Sequence, residues 1–329
     1  MDSLCNQTYS NLEIICIDDG SVDNSLSILM EYAEKDNRIK VFSQRNKGAA
    51  AARNKGILEA TGEWVTGVDS DDFLDLDTCQ YVVSHIRPEV DVISYDMKMC
   101  WQGMERDEGI DKYYDRRLDG VYKVSPEFIF DKPCEFCSKF WRNAFLKKYQ
   151  CQFPNGLSYE DWYFFWAYMP HVKYILYLPL AKYNYVRRVD SNTACTLKKW
   201  PRALDYMSLI NRLLDYRLAC PLPNMWTAMN LLNFLFCYQC AIKYVPTDML
   251  PEVDIRAQEI TNHCLLSSWR KWLLVFTSHC SCRGFFTHYL PGKILVGCFY
   301  RYFLSLQIEN ASVVLRLFGK RIYRKSFFS

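Results

Sequence analysis

Apolar residues fall along this chain in short β-rich runs separated by stretches of helical spacing, the alternation expected of an α/β protein. Residues 12–17 form a continuous apolar run and read as a buried parallel strand. Ser21 or Asp23 can cap the next helix, on which Leu26, Leu29, Met30 and Ala33 recur at helical intervals. Residues 39–42 predict a second strand, and the alanine-rich stretch 49–60 a helix stopped by Gly62 as a left-handed cap. Residues 64–68 and 90–95 predict two more strands. Alternating strands and helices imply right-handed crossovers and a mostly parallel sheet flanked by helices.

Periodicity fades over 97–124, where charges dominate, and an insertion or acceptor-side loop is expected. Pro126 opens a helix at its first position, and 142–149 predict another. A turn over 153–161 feeds an aromatic helix, 162–169, followed by a strand over 172–178. Trp141, Trp162 and Trp166 suit stacking on sugar rings, although aromatics at helical spacing more often fill a core. Composition shifts after about residue 196. The chain therefore divides into an α/β region, 1–196, and a helical region, 197–329, with helices over 204–218 and 225–244. Residues 294–306 are apolar but shorter than the ~20 needed to cross a bilayer, and Arg301 interrupts them. The tail, 313–328, mixes aliphatic residues with Arg316, Lys320, Arg321, Arg324 and Lys325. It reads either as a helix lying on an anionic membrane surface or as an amphipathic helix packed on the protein.

With 329 residues, half of them apolar, the chain can bury a large core, and disorder is excluded. A net charge of +3 gives no case for nucleic acid. Fifteen scattered cysteines, and a start without a basic, apolar leader, fit reduced thiols of a cytoplasmic protein. Cys134 and Cys137 have the spacing of half a zinc site but no matching second pair.

Two acidic clusters close predicted strands: Asp18-Asp19-Gly20-Ser21-Val22-Asp23 and Asp69-Ser70-Asp71-Asp72. Carboxylates this dense repel one another and await a cation or a sugar hydroxyl, and ligands of open α/β sheets bind at the carboxyl ends of strands. Asp69 and Asp71 flank a small serine and suit Mg²⁺ or Mn²⁺; the plainer reading is a helix-capping turn. Between the clusters lies Asn46-Lys47-Gly48-Ala49-Ala50-Ala51-Ala52-Arg53-Asn54.

In order and spacing, these segments and the Ala60-Thr61-Gly62-Glu63-Trp64-Val65 stretch before the second cluster resemble the family 2 glycosyltransferases, nucleotide-sugar enzymes of the GT-A fold. The resemblance covers roughly the first two hundred residues. It implies a metal-dependent, inverting transfer of sugar from a nucleotide-diphospho-sugar, a UDP-sugar in the first instance. The acceptor would be a hydroxyl of a cell-envelope saccharide or lipid-linked glycan, with the tail touching the inner membrane face. It assigns Asp69 and Asp71 to the metal and donor, and Asp18 or Asp19, Asp18 ahead, to the nucleoside. Asn46, Gly48 and Arg53 would line the donor pocket, Arg53 by a forked contact to phosphate. Asp161, beside Glu160, would take the acceptor proton. Arg187 or Arg188 would close over the diphosphate.

The family usually begins with an apolar strand ahead of the first acidic segment, and 1–9 here resemble the end of the helix that follows it. The expectation is that the natural product starts further upstream, or else that this is a truncated copy. The rival functions are an inactive scaffold binding a partner glycosyltransferase, and a nucleotidyltransferase, which would carry a glycine-rich basic loop in place of the acidic one.

Overall fold

The computed structural model describes residues 1–101, 107–110, 118–129, 132–187, 199–263, 304–309, 312–317 and 320–326. Helix α1 (Asp2–Cys5) precedes β1 (Ile14–Asp18), α2 (Ser25–Lys35), β2 (Ile39–Ser43) and α3 (Ala49–Glu59). β1 and β2 pair in parallel as a two-stranded sheet, with Ile14, Cys16 and Ile39 buried against α1 and α2. Helix α2 has Asn24 at its N-cap position, without a side-chain capping bond, rather than the expected Ser21 or Asp23; the Asp23 carboxylate accepts from Ser25 N–H. α3 ends on Ala60 in an extended conformation, so Gly62 is no left-handed cap; Asn143 donates to the carbonyls of Ala60 and Gly62 and holds the exit.

Next come β3 (Trp64–Val65), β4 (Phe73–Leu74), α4 (Thr78–Ser84), β5 (Val92–Trp101), β6 (Asp107–Ile110), β7 (Gly120–Lys123) and α5 (Pro126–Ile129). β8 (Lys139–Arg142), α6 (Asn143–Lys148), α7 (Glu160–Tyr168) and β9 (Tyr174–Arg187) follow. These strands make a seven-stranded sheet built on the order β3-β8-β5-β9-β4, with β6 beside β5 and β7 beside β9. The expected mostly parallel sheet is therefore corrected to a mixed one. β5 and β9 run parallel, but β8, β6, β7, β3 and β4 all pair antiparallel. The stretch after residue 97 that looked like a loop extends β5 and adds β6 and β7. These added strands are only four residues each, too short for a period of two to stand out. The apolar run at 64–68 yields only two strand residues, because the sheet is divided between β1 and β3.

β5 is buried on both faces at Val92, Ile93 and Tyr95, packed with Leu176, Leu178 and Tyr183 of β9. α7 is apolar all round, and Trp162 through Tyr168 are all buried. Trp141, Trp162 and Trp166 are thus core residues, 1 %, 5 % and 6 % exposed, and offer no sugar platform.

Helices α8 (Asp205–Ala219), α9 (Asn224–Tyr244) and α10 (Leu250–Thr261) continue the same compact unit, Met1–Trp269. A second unit, Arg270–Ser329, contains β10 (Leu304–Glu309), β11 (Ser312–Leu317) and β12 (Lys320–Ser326) in an antiparallel meander. The helical tail expected over 313–328 is corrected accordingly: Val313-Val314-Leu315 is β-branched and aliphatic, and two-residue links favour hairpins. The membrane-surface reading that rested on that helix loses its basis. Among the described residues, no helix is long and apolar enough to cross a membrane.

Candidate active site

β1 delivers Asp18 and Asp19 at its carboxyl end, on opposite sides of the strand. Asp18 points inward and is 4 % exposed; it accepts from Ser21 N–H at 3.1 Å and Ser43 Oγ at 2.8 Å. These bonds, from Ser21 first, hold its carboxyl below the ordinary aspartate range. Asp19 accepts from Gln44 Nε2 at 2.7 Å, Lys47 N–H at 3.0 Å and Gly48 N–H at 2.7 Å. It therefore fixes the 44–48 loop from which α3 starts. Gly20 lets the two loops meet: a Cβ there would lie 2.8 Å from Asn46 N, at a φ of +76°. Asn46 sits exposed on this loop, and Gly48, at a φ of +87°, turns the chain into α3.

One turn into α3, Arg53 reaches three acids. Its Nη2 lies 2.8 Å from Asp69 Oδ1, its Nη1 3.4 Å from Asp161 Oδ1, and Nη1 also bonds Glu160 Oε1. The guanidinium packs over Phe153, 5.6 Å from its ring centroid. Burial works against its charge, but Asp161, Asp69 and Glu160 outweigh that and raise its pKa well above the usual value. The structure thus brings Arg53, Asp69, Glu160 and Asp161 together from α3, the turn after β3, and the start of α7. The Arg53 fork is occupied here by carboxylates. Asp161 also accepts from Phe136 N–H at 3.4 Å. Desolvation pushes its carboxyl up, Arg53 opposes the rise, and Glu160 and Asp69 add to it.

The 69–72 turn is pinned to β9. Tyr183, fully buried, donates to Asp72 Oδ2 at 2.6 Å and accepts from Asp69 N–H at 3.1 Å. Asp72 Oδ1 accepts from Val186 N–H at 2.8 Å. Burial raises the Asp72 pKa to about 6 against these two bonds. Asp69 is 38 % exposed along its side chain, and Asp71 is half-buried. Arg187 ends β9, directly after Val186; Arg188 lies outside the described residues.

The turn before α7 is held by residues the sequence did not single out. Tyr159 is left-handed, with φ 63° and ψ 32°, a conformation costing a non-glycine residue about 1–2 kcal/mol. Its ring stacks on Tyr206 of α8 at 4.0 Å, and Ser158 N–H donates to Asp205 at 2.8 Å. Arg217, at the far end of α8, donates to the carbonyls of Trp166 and Ala167 and closes the carboxyl end of α7. Asn54 exchanges two bonds with the Phe153 backbone, at 2.7 and 2.9 Å, and ties α3 to the same turn. A helix asparagine next to Arg53 was the available signal for that contact; the α8 contacts left none.

An open depression of about 560 Å³, lined by Met1, Asp2, Asn6, Asp72, Phe73 and Leu76 among others, lies beside this site and meets it through Asp72. It contains none of the Arg53-linked acids and plays no part in the chemistry considered below.

Two oxygen-bearing carboxylates, Asp69 and Asp71, fit a hard divalent ion, and Asp69 already faces a cation in Arg53. Among the described residues no three side chains gather as a complete ligand set, so diphosphate oxygens or water would have to finish the shell.

Residues 1–125 match the family model described as Glycosyl transferase family 2. EpsH of Bacillus subtilis (strain 168), described as a glycosyltransferase, is 33 % identical over 193 residues, covering 56 % of this chain and 55 % of that protein. The glycosyltransferase GlyA of Streptococcus pneumoniae serotype 4 is 30 % identical over 222 residues, covering 63 % of this chain and 31 % of that protein. The chain thus spans about half of one relative and a third of the other. Among solved structures, S. aureus TarS 1-349 in complex with UDP-GlcNAc superposes with a TM-score of 0.60 at 18 % identity, covering 99 % of this chain and 94 % of that one. The mannosyltransferase PcManGT from Pyrobaculum calidifontis, in complex with GDP-Man and Mn²⁺, gives 0.50 at 15 % identity, covering 87 % and 77 %. At these identities the likeness establishes the fold, which is GT-A. Residues 1–125, somewhat over a third of the chain, thus carry its sequence likeness to glycosyl transferase family 2.

Proposed function

We propose that the protein transfers a sugar from a nucleotide-diphospho-sugar, a UDP-sugar in the first instance, to a saccharide or glycolipid hydroxyl with inversion at the anomeric carbon. The observation that carries this reading is the convergence of Asp69, Glu160 and Asp161 on Arg53. Acids from two distant segments meet on one guanidinium, the arrangement that donor phosphates beside an acceptor hydroxyl would need. Asp161, whose pKa burial raises, is suited to accept the hydroxyl proton. An attack from its side, opposite the leaving diphosphate, inverts the centre. Asp69 and Asp71 would hold Mg²⁺ or Mn²⁺, an ion that would supply charge neutralisation for the leaving diphosphate. Arg53 would then turn from Asp69 towards phosphate oxygens while keeping its contact with Glu160. Asp19, the more exposed acid of its pair, and Asn46 would border the nucleoside; Asp18, spent on Ser21 and Ser43, would shape the loop. Arg187, which ends β9, or Arg188, the next residue in sequence, is the proposed cation over the diphosphate.

UDP-sugars and GDP-mannose, each incubated with Mn²⁺ and a panel of oligosaccharide and glycolipid acceptors, test the reading directly. Nucleoside diphosphate released with formation of the opposite anomer supports it. Release of pyrophosphate would favour nucleotidyl transfer, and a folded protein that binds none of these donors by calorimetry would leave the scaffold reading standing.

A further inference from the structure

Lys139 opens β8 and is 0 % exposed, one of the largest wholly buried side chains in the molecule. A buried ammonium is costly unless its hydrogens are engaged. Here Nζ donates to the Glu135 carbonyl oxygen at 2.7 Å and to Ser138 Oγ at 3.2 Å, and it lies 5.6 Å from the Phe165 ring centroid on α7. Burial lowers its pKa, and Glu135 foremost among its neighbours opposes the fall. The Glu135 carbonyl belongs to the same peptide group as Phe136 N–H, and that N–H donates to Asp161 Oδ2 at 3.4 Å. One peptide therefore has an ammonium on its oxygen and the Asp161 carboxylate on its hydrogen. Ser138 Oγ also donates to the Glu135 oxygen at 3.4 Å, and Lys139 N–H closes the turn onto the Phe136 carbonyl at 3.1 Å.

We propose that Lys139 is a positioning residue for the transfer reaction, acting on Asp161 through the 135–136 peptide. Hydrogen bonds in series polarise one another, so a cation at the carbonyl end strengthens the N–H at the other end. The same bond fixes the peptide plane, and with it the direction from which Asp161 is held. Arg53 grips Asp161 Oδ1 and the peptide N–H grips Oδ2, so the carboxylate is oriented by two positive groups on different elements. A nonpolar side chain of similar length at 139 would keep the packing against Phe165 and lose the polarisation. The inference rests on the reading of Asp161 as the base.

The test compares full-length K139M, D161N and the double variant. Turnover is read as UDP released from an equimolar mixture of UDP-GlcNAc, UDP-glucose and UDP-galactose with Mn²⁺, and donor-site integrity as Mn²⁺–UDP affinity by calorimetry. K139M is expected to lower UDP release about tenfold or more, to leave Mn²⁺–UDP affinity within about twofold, and to remove nothing further from the residual D161N rate. A wild-type rate in K139M overturns the proposal, as does an equal further loss in the D161N background or a parallel loss of UDP affinity. If K139M fails to fold, K139Q, which keeps an N–H donor without the charge, takes its place, with an expected loss of about threefold; a wild-type rate in that variant overturns the proposal too. Unchanged turnover in D161N removes the base itself. Collapse of D161N beside an unaffected K139M removes only Lys139.

Discussion

Two groups of carboxylates lie within one region of this molecule and are held by different means. Asp18 and Asp19 take hydrogen bonds from uncharged donors: Ser21 N–H, the Ser43 hydroxyl, the Gln44 amide, and the backbone of Lys47 and Gly48. Asp69, Glu160 and Asp161 share a single guanidinium. The first arrangement is complete in itself, because neutral donors fold the loop and leave nothing to exchange. The second sets one guanidinium against three carboxyl groups. The difference separates a pair of acids fixed by neutral donors at the end of β1 from acids of the turn after β3 and the start of α7 that share a charged partner.

The largest effect should come from the base. D161N is expected to lose about 10²–10⁴-fold in transfer rate while binding Mn²⁺–UDP as the wild type does. Undiminished transfer would end its claim. R53M should follow, leaving three acids without their cation at a cost of about 3 kcal/mol in unfolding free energy, read by urea titration. A loss no greater than that of an average surface substitution would mean that the three contacts carry no net stabilisation. D18A should cost about 2 kcal/mol, because it removes two part-buried hydrogen bonds, from Ser21 N–H and the Ser43 hydroxyl, and should leave Mn²⁺ binding intact. D71A should do the reverse, abolishing the thermal shift produced by Mn²⁺–UDP at little cost to the metal-free protein. If D18A and D71A behaved alike in both assays, the separation of a structural role for Asp18 from a binding role for Asp71 would fail.

The smallest effect is a difference in sign with pH. Asp18 has a lowered folded pKa, so its stabilisation is present above the unfolded value near 3.8 and is lost as pH falls through the folded one. Asp161 has a raised folded pKa, so its contribution is complete below about 3.8 and is lost as pH rises through the folded value. Melting temperatures measured without metal should therefore show wild type minus D18N growing from pH 3 to 5, and wild type minus D161N shrinking from pH 4 upwards. Slopes of the same sign would contradict the assigned environments.

The convergence of Asp69 with Glu160 and Asp161 was legible because the motifs follow one another in a known order. The partner of Arg53 was not, since a counter-ion for three acids is a property of the assembled cleft. Putting Asp18 ahead of Asp19 is a preference the sequence could not settle: neighbours on a strand face opposite ways, and only the position of β2 decides that Asp18 turns inward onto Ser43. The helices α3, α7, α8 and α9 came through clearly from apolar spacing. The antiparallel strands did not, because β6 and β7 are four residues long and charged, and β3 is cut to two. Over 313–328, five basic residues among aliphatic ones suggested a helix, where the β-branched pair Val313-Val314 belongs to a strand.

α8 clasps α7 at both ends, through Asp205 and Tyr206 beside the Tyr159 turn and through Arg217 at the far carbonyls. Anyone swapping acceptor preference between homologues by exchanging modules must therefore place the splice beyond Ala219. A junction nearer 196 would graft the turn before α7 onto a foreign clamp, and the chimaera would inherit its left-handed tyrosine without the ring that keeps it there.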